Sequence, residues 1–475
     1  MVLGIGDESI AIARAITTDF NVPYKIEGFI AEDDSSTRAK LLGRDITTKE
    51  NFLKRPNLSN KIDGILLVAE HLSKRELDEW VGIGLEKNIE IFKAPSVTNL
   101  ENKDLNKSIK NLQIEDLLNR NPIKLDDEEV HKRHNGKTVL ITGGAGSIGS
   151  EIVRQVAHFN PSLIVIFDQA ETPLYDLELE MKENYPNIPC KFVLGDISNQ
   201  RRLEDIFEEY RFSMVYHAAA YKHVPMIEEN PREAVLVNVL GTKIIAHLSM
   251  QYKVNRFVMV STDKAVNPTN VMGASKRVAE LLVQSLQDIP GNTTKFITTR
   301  FGNVLGSNGS VIPHFKKQIE KGGPVTVTHP EIVRYFMTIP EACQLVLQAG
   351  TMGHGGEIFV FDMGDPVKIV DLARKMIKLS GYEPDKDIQI VFTGLRPGEK
   401  LYEELLSDNT RNLPTHHNKI MVSMDPHMKF DQVNLLINGV VRAALKKDKL
   451  EVVRQLKNIV PEFRSNNSLY EMLDR

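Results

Sequence analysis

The stretch Thr142-Gly143-Gly144-Ala145-Gly146-Ser147-Ile148-Gly149 constrains the fold of this chain more than any other. It follows Thr138-Val139-Leu140-Ile141, a short β-branched apolar run that reads as a strand. It opens a segment with apolar residues at helical spacing, Ile148, Ile152, Val153 and Val156. Such a glycine pattern is weak evidence alone, but between a strand and a helix it has the setting of a dinucleotide turn. Glycines permit a tight turn and close approach of backbone to phosphate, while a helix N-terminus supplies free N–H groups and positive potential. Gly143, Gly146, Ser147, Ile148 and Gly149 are the expected phosphate cradle.

The segments that follow agree. The next strand, residues 163–167, ends in Asp168, 19 residues after Gly149. A carboxylate there accepts the ribose hydroxyls and repels a 2′-phosphate, which favours NAD over NADP. The strand at 192–194 ends in Gly195-Asp196-Ile197, where Asp196 and Ile197 are expected at the adenine edge; the ordinary alternative for both aspartates is a strand-end cap. The strand at 214–216 runs into His217-Ala218-Ala219-Ala220, and the small side chains of Ala218 and Ala219 let backbone lie against a flat cofactor. Lys222, His223 and Pro225 follow on a loop. Asn238, inside an apolar helix at 234–248, reads as a buried amide bracing its neighbour.

A length of 475 residues suggests two to three domains. Strands at 2–5, 24–30, 64–69 and 89–92 alternate with helical patterns at 9–18 and 73–87, which predicts a first parallel, doubly wound sheet. Its turn, Gly4-Ile5-Gly6-Asp7-Glu8-Ser9, has serine where a third glycine would stand, and acids that would repel a pyrophosphate. It is read as structural, with a vestigial or regulatory nucleotide site as the minority view. A polar segment at 99–111 and a charged one at 119–136 lead to the second half. The division is therefore placed as 1–120, an N-terminal Rossmann-like domain, and 121–475, a second sheet carrying the cofactor core and a smaller C-terminal substrate-binding part. The fold class is α/β, with two doubly wound parallel sheets.

Composition is that of an ordinary globular protein, 41% hydrophobic and 26% charged, and a net charge of −4 gives no footprint for nucleic acid. Cys190 and Cys343 lack metal-ligand spacing and read as free thiols of a reducing compartment; no metal is expected. No apolar run of about 18 residues is apparent, so no membrane span is expected within this chain. The start, in mid-strand, reads as a truncation that lost an N-terminal region.

The chemistry is expected in the stretch from Ser261 to Lys276. It follows the apolar run Phe257-Val258-Met259-Val260 and gathers Ser261, Thr262, Asp263, Lys264 and Lys276 beyond a strand end, where ligands of open α/β sheets bind. The bland alternative is a solvated loop beside a helix cap.

The glycine turn with Ser150-Glu151 after it, His-Ala-Ala-Ala, Ser261-Thr262-Asp263-Lys264 and Arg396-Pro397-Gly398-Glu399-Lys400 resemble the extended short-chain dehydrogenase/reductase superfamily. Within it they resemble the UDP-N-acetylglucosamine 4,6-dehydratases of the capsular-polysaccharide type. The resemblance runs from about residue 114 onward, and residues 1–120 are similar to the extra Rossmann-like domain of the long, membrane-anchored members. The superfamily's catalytic pair is Tyr-x-x-x-Lys; here it is Met272-Gly273-Ala274-Ser275-Lys276. Methionine has no titratable proton. The long dehydratases share it, which leaves open the group that takes the 4-hydroxyl proton.

The resemblance implies hydride transfer from C4 of the sugar to NAD, loss of water across C5 and C6, and hydride return to C6. It implies Asp263 as the acid at the C6 hydroxyl and Lys264 as the base at C5. Thr262 would bond O4, and Lys276 the nicotinamide ribose. In this scheme Asp263 holds a proton near neutrality and Lys264 gives one up. A product with retention at C5 is favoured, destined for bacterial glycan synthesis. Lys222, Asn303, Arg334, Arg396 and Glu399 are the implied substrate contacts, the arginines for the diphosphate and Glu399 for the uridine ribose. A cytoplasmic location, at the membrane face if an anchor was removed, and a homo-oligomer complete the expectation. A nucleotide-sugar 4-epimerase and a non-catalytic NAD-binding sensor are the rivals; Met272 and the Asp263–Lys264 pair argue against the first, and the retained lysines against the second.

Overall fold

The computed structural model describes residues 1–19, 22–31, 39–55, 62–68, 74–87, 89–94, 109–111, 127–404 and 412–474. Most of the polar segment at 99–111 and residues 119–126 of the charged one fall outside these, while Asp127–His134 forms a helix. The chain forms two compact units, Met1–Asn121 with Arg374–Ile388, and Pro122–Ala373 with Gln389–Arg475.

The first unit contains a seven-stranded sheet. Val2–Leu3 lies at its centre, flanked in parallel by Gly28–Ala31 and Gly64–Leu67. Arg44–Thr48 and Glu90–Lys93 continue the parallel run, and antiparallel pairs close both edges. The β-branched run at Arg44–Thr48 and its antiparallel partner Lys40–Leu41 went unread in the sequence. In the first turn, Gly4 adopts a φ of 94°, and Ser9 Oγ donates to Leu3 O at 3.2 Å, occupying the space a side chain at Gly4 would need. Asp7 and Glu8 stand in the first turn of the helix Asp7–Thr18, whose N-cap Gly6 offers no side-chain bond.

The second unit is built on a nine-stranded sheet. In spatial order its strands are Cys190–Leu194, Leu163–Asp168, Thr138–Thr142, Met214–His217, Arg256–Thr262, Lys295–Phe301, Ile358–Phe361, Ile420–Ser423 and Asn412–Pro414. The first seven run parallel, Ile420–Ser423 runs against them, and Asn412–Pro414 pairs antiparallel with it at the edge. The chain order 3-2-1-4-5-6 of the first six is the doubly wound dinucleotide arrangement, and it reverses direction between Thr138–Thr142 and Met214–His217. Apolar runs on the central strands pack helices on both faces; Val139, Leu140, Ile141, Val258 and Phe257 are fully buried. Two small sheets lie beyond the strand ends, Asn303–Val304 with Val333–Met337 and Pro366–Lys368, and Val325–Val327 with Ile390–Phe392.

The one helix among the described residues long and apolar enough to cross a membrane is Pro231–Gln251. Its apolar window is 67% buried inside the unit, so its hydropathy reflects a core position. The reading that no such run exists is corrected to that extent. Within it, Val235–Gly241 is wound as a π-helix, a local widening frequent near functional sites. Asn238 in this segment accepts from Tyr221 N at 2.9 Å and donates to Tyr221 O at 3.0 Å and Ser275 Oγ at 3.0 Å. It thus fixes the loop that follows His217 as well as the helix Val271–Leu286.

Candidate active site

The glycine turn lies at the switch point of the sheet. Gly143 has a φ of 65°, and a β-carbon there would stand 2.6 Å from Ala219 N. A β-carbon on Gly149 would meet Gly143 O at 2.0 Å, so this glycine lets the helix Ser147–Ala157 press onto the turn. Gly146 is the N-cap and has no side-chain bond; the first intrahelical bond is Ser150 N to Gly146 O. The N–H groups of Ser147, Ile148 and Gly149 precede it and are oriented for an anion. Asp168 accepts from Ala145 N and Ala170 N, each at 2.9 Å, one on each carboxylate oxygen. Each oxygen keeps a lone pair for a hydroxyl donor. This cradle fits a dinucleotide.

Other expected cofactor residues have narrower roles. Asp196 turns back to accept from Ser198 N at 2.7 Å and Ser198 Oγ at 2.8 Å, the strand-end cap weighed as its ordinary alternative. The Ile197 side chain is buried against Gly241, so it can meet a ligand only through its backbone. Ala218 and Ala219 line the crevice against Gly143. Ser147 Oγ accepts from Asn308 N at 3.2 Å and ties the turn to the loop after Lys295–Phe301.

The stretch expected to carry the chemistry forms the end of Arg256–Thr262 and the 3-10 turn Asp263–Ala265. Thr262 Oγ1 donates to Asp263 Oδ1 at 2.8 Å. Lys264 Nζ lies 3.0 Å from Asp263 Oδ1, 2.8 Å from Glu403 Oε1 and 3.3 Å from Asn303 Oδ1. Asn303 Nδ2 donates to Glu403 Oε2 at 3.0 Å. Arg334 Nε stands 3.2 Å from Glu403 Oε1, and its Nη2 donates to Glu399 Oε1 at 3.2 Å. A β-carbon on Gly273 would stand 2.1 Å from Lys264 O, so glycine after Met272 is what lets the helix Val271–Leu286 approach this turn.

A cleft with about 730 Å³ of empty space, counted out to open solvent, lies over this cluster. Lys222, Lys264, Arg334, Arg396, Glu399 and Glu403 face it. Cations outnumber acids among these six, which suits a diphosphate. Lys222 is open at the mouth, yet the surrounding protein and then the Lys264 ammonium push its pKa down. One wall is the Arg396–Lys400 loop, stapled across the chain. Gly398 O accepts from Thr269 Oγ1 and Asn270 Nδ2 at 3.0 Å each, and Gly398 N donates to Asn466 O at 2.6 Å. Lys400 Nζ donates to Val266 O at 3.1 Å.

Two expectations are corrected. Met272 does not join the polar cluster; it is 3% exposed and packs in an apolar cluster with Ile227, Val235, Val433 and Ile437. The pKa shifts of Asp263 and Lys264 also run opposite to the expectation. Burial would lower the Lys264 pKa, but Asp263 and Glu403 on either side raise it above its ordinary value. Burial would raise Asp263, but Lys264 and the Thr262 hydroxyl hold it below the usual carboxylate range. Each partner's charge thus favours the other's ionised form, a carboxylate on Asp263 and an ammonium on Lys264. The amine that burial does depress is Lys276, brought down to about 8 against the opposing pull of Glu280, with Nζ donating to Val260 O at 2.7 Å. The residue that the sequence did not single out is Glu403. Its signal was faint: an acid four residues after Glu399, on the segment of the Arg-Pro-Gly-Glu-Lys motif.

A buried ion-pair network underlies the site. Ser261 Oγ donates to Glu280 Oε1 at 2.6 Å, and Arg300 Nε donates to the same oxygen at 2.8 Å. Arg300 also reaches Asp425 at 2.5 Å, and Arg277 pairs with Glu280 at 3.2 Å.

The doubly wound sheet, the glycine turn at its switch point and the charged cleft define a nucleotide-sugar-modifying short-chain dehydrogenase/reductase. Residues 139–425 match the polysaccharide biosynthesis protein family, and the chain belongs to it. It is similar to the capsular polysaccharide biosynthesis protein CapD of Staphylococcus aureus, 42% identical over 460 residues, covering 96% of this chain and 76% of that one. It is similar also to the UDP-N-acetylglucosamine 4,6-dehydratase (inverting) of Campylobacter jejuni, 34% identical over 300 residues, covering 62% of this chain and 85% of that one. The X-ray structure of Pen from Bacillus thuringiensis superposes with a TM-score of 0.56 at 33% identity, covering 64% of this chain and 99% of Pen.

Proposed function

We propose that this chain dehydrates UDP-N-acetylglucosamine to a UDP-4-keto-6-deoxy-N-acetylhexosamine for bacterial glycan synthesis. The observation that carries the reading is Lys264, which faces a cationic cleft while its Nζ stands 3.0 Å from the buried Asp263 carboxylate behind it. Bound NAD supplies a hydride acceptor at C4 and a hydride donor at C6. The glycine turn and Asp168 hold it, and Lys276, buried at the same strand end, meets its ribose. Arg334, Arg396 and Lys222 bind the diphosphate, and Glu399 faces the nucleoside. Thr262 presents its hydroxyl to O4.

Asp263 and Lys264 divide the elimination between them. Moving one proton from Lys264 Nζ to Asp263 Oδ1 turns the resting ion pair into a neutral amine and a neutral acid. The amine then removes the C5 proton, and the acid protonates the departing C6 hydroxyl as water. Both partners return to their starting charges. General acid–base pairs work through such opposed protonation states.

The test is incubation with UDP-N-acetylglucosamine, followed by mass spectrometry and proton NMR of the product. Loss of one water supports dehydration; an isomer of equal mass would replace it with epimerisation; tight NAD binding without turnover of any UDP-sugar would leave a sensor. The same spectrum reads C5, where retention is our expectation and the Campylobacter relative's name carries the opposite outcome.

A further inference from the structure

Glu403 lies at the centre of the charged cluster, 8% exposed. Its Oε1 is held by ion pairs from Lys264 at 2.8 Å and Arg334 at 3.2 Å, and neither is aligned as a hydrogen bond. Asp263 Oδ2, also buried, has no donor. The groups around Glu403 come from every wall: Asp263 and Lys264 from the 3-10 turn, Asn303 from its strand, Arg334 and Tyr335 from Val333–Met337, and Glu399 from its own segment. Lys222 acts on Lys264 from across the cleft. Two carboxylates thus share one ammonium, and Arg334 offsets the excess by dividing its guanidinium between Glu403 and Glu399.

That guanidinium also faces the cleft. A diphosphate offers it a bidentate, doubly charged acceptor and so competes with Glu403. We propose that Glu403 is a positioning residue that takes up a proton when a nucleoside diphosphate draws Arg334 away, and that this releases Lys264 to pass a proton to Asp263. The inference rests on the nucleotide-sugar reading above. While Glu403 is ionised, Lys264 is held as an ammonium by two anions. Once a solvent proton is on Glu403, one anion remains. The Lys264 Nζ–H bond can then break as the Asp263 Oδ1–H bond forms, over 3.0 Å, with no change in total charge. Burial and the adjacent Asp263 already raise the Glu403 pKa, and loss of the Arg334 charge acts in the same direction. Substrate binding itself would thereby load the acid that the elimination consumes, and the site would stay an inert ion pair without it.

The experiment is calorimetric titration of the full chain with UDP near pH 7, in two buffers of different ionisation enthalpy. The wild type is expected to take up about one proton per UDP bound. Glu403→Gln is expected to bind UDP with heats independent of buffer. Its kcat/KM should lose the alkaline limb that the wild type shows as Glu403 deprotonates. Buffer-independent heats in the wild type, with UDP bound, overturn the proposal even if the variant fails to fold; so does unchanged uptake in Glu403→Gln. Absence of any UDP binding would instead remove the nucleotide-sugar reading.

Discussion

Lys264 Nζ stands 2.8 Å from Glu403 Oε1, 139 residues further along the chain, and only 3.0 Å from the carboxylate of its own neighbour Asp263. The two carboxylates favour its ammonium form, and the proposed mechanism requires one of those negative charges to be removed. Replacing Lys264 by Ala, or Asp263 by Asn, is expected to lower kcat by roughly a hundred- to ten-thousand-fold, the usual contribution of a positioned acid or base. Turnover measured on UDP-N-acetylglucosamine checks this, and near-wild-type rates in either variant would take that residue out of the scheme.

Arg334 faces the cleft and pairs with both Glu399 and Glu403. Lysine at this position keeps the charge but loses the planar fork. Arg334→Lys is expected to raise KM for the UDP-sugar about tenfold or more, on the scale of one charge-assisted hydrogen bond. An unchanged KM would mean that Arg334 serves Glu399 and Glu403 alone.

Asp168 braces the turn through Ala145 N and is the proposed partner of the cofactor ribose. Asp168→Asn keeps an acceptor for Ala145 N but removes the negative charge. NAD affinity should fall, and discrimination against NADP should shrink, because the repulsion of a 2′-phosphate is gone. Fluorescence titration with both dinucleotides measures it; an undiminished preference for NAD would place the selectivity elsewhere.

Two buried histidines give stability a defined pH dependence. His217 is pushed down to about 3 by burial and then by Lys276, and bonds Thr142 Oγ1 at 2.7 Å and Thr242 Oγ1 at 2.9 Å. His134 is pushed down to about 4 by burial and bonds Tyr216 OH at 2.9 Å. In the unfolded chain each protonates near 6.5, so above that pH the two states bind the same protons. Below it the unfolded state binds more, and stability is lost from about pH 6.5 down to the folded values, by about 1.4 kcal/mol per pH unit for each histidine. Urea midpoints between pH 7 and 5 test this, and His134→Gln should flatten the slope by one group. An unchanged slope would mean that this ring protonates inside the fold.

The Glu280–Arg300 pair beneath the site is fully buried, and removing one partner strands a charge. Glu280→Ala is expected to cost about 3–5 kcal/mol of stability. Denaturant unfolding measures this; a loss below about 1 kcal/mol would show that water or Asp425 compensates.

The parts of the fold written in local pattern were legible. Apolar strands followed by helical spacing marked the sheet from Thr138–Thr142 to Lys295–Phe301, and the glycines of the turn announced close contacts that the coordinates measure directly. Lys222, Lys264, Arg334, Arg396 and Glu399, proposed as site residues one at a time, face one cleft. What the sequence concealed depends on long-range proximity. Glu403 looked like one acid among many in a charged segment, and only folding brings it onto Lys264. Met272 was read by its register with Lys276, but register fixes a helix position without saying which neighbour covers it. The Arg277–Glu280–Arg300 network was hidden because charged residues in a strand and helix usually face water.

Gly398 joins stretches that are far apart in the chain, with its carbonyl shared by Thr269 and Asn270 and its amide given to Asn466. During synthesis on the ribosome, the dinucleotide cradle is complete long before residue 466 emerges, whereas the wall that shapes the sugar cleft is pinned only afterwards. The order of synthesis thus separates the two: the glycine turn needs nothing beyond the middle of the chain, while the Gly398 wall waits for the C-terminal residues.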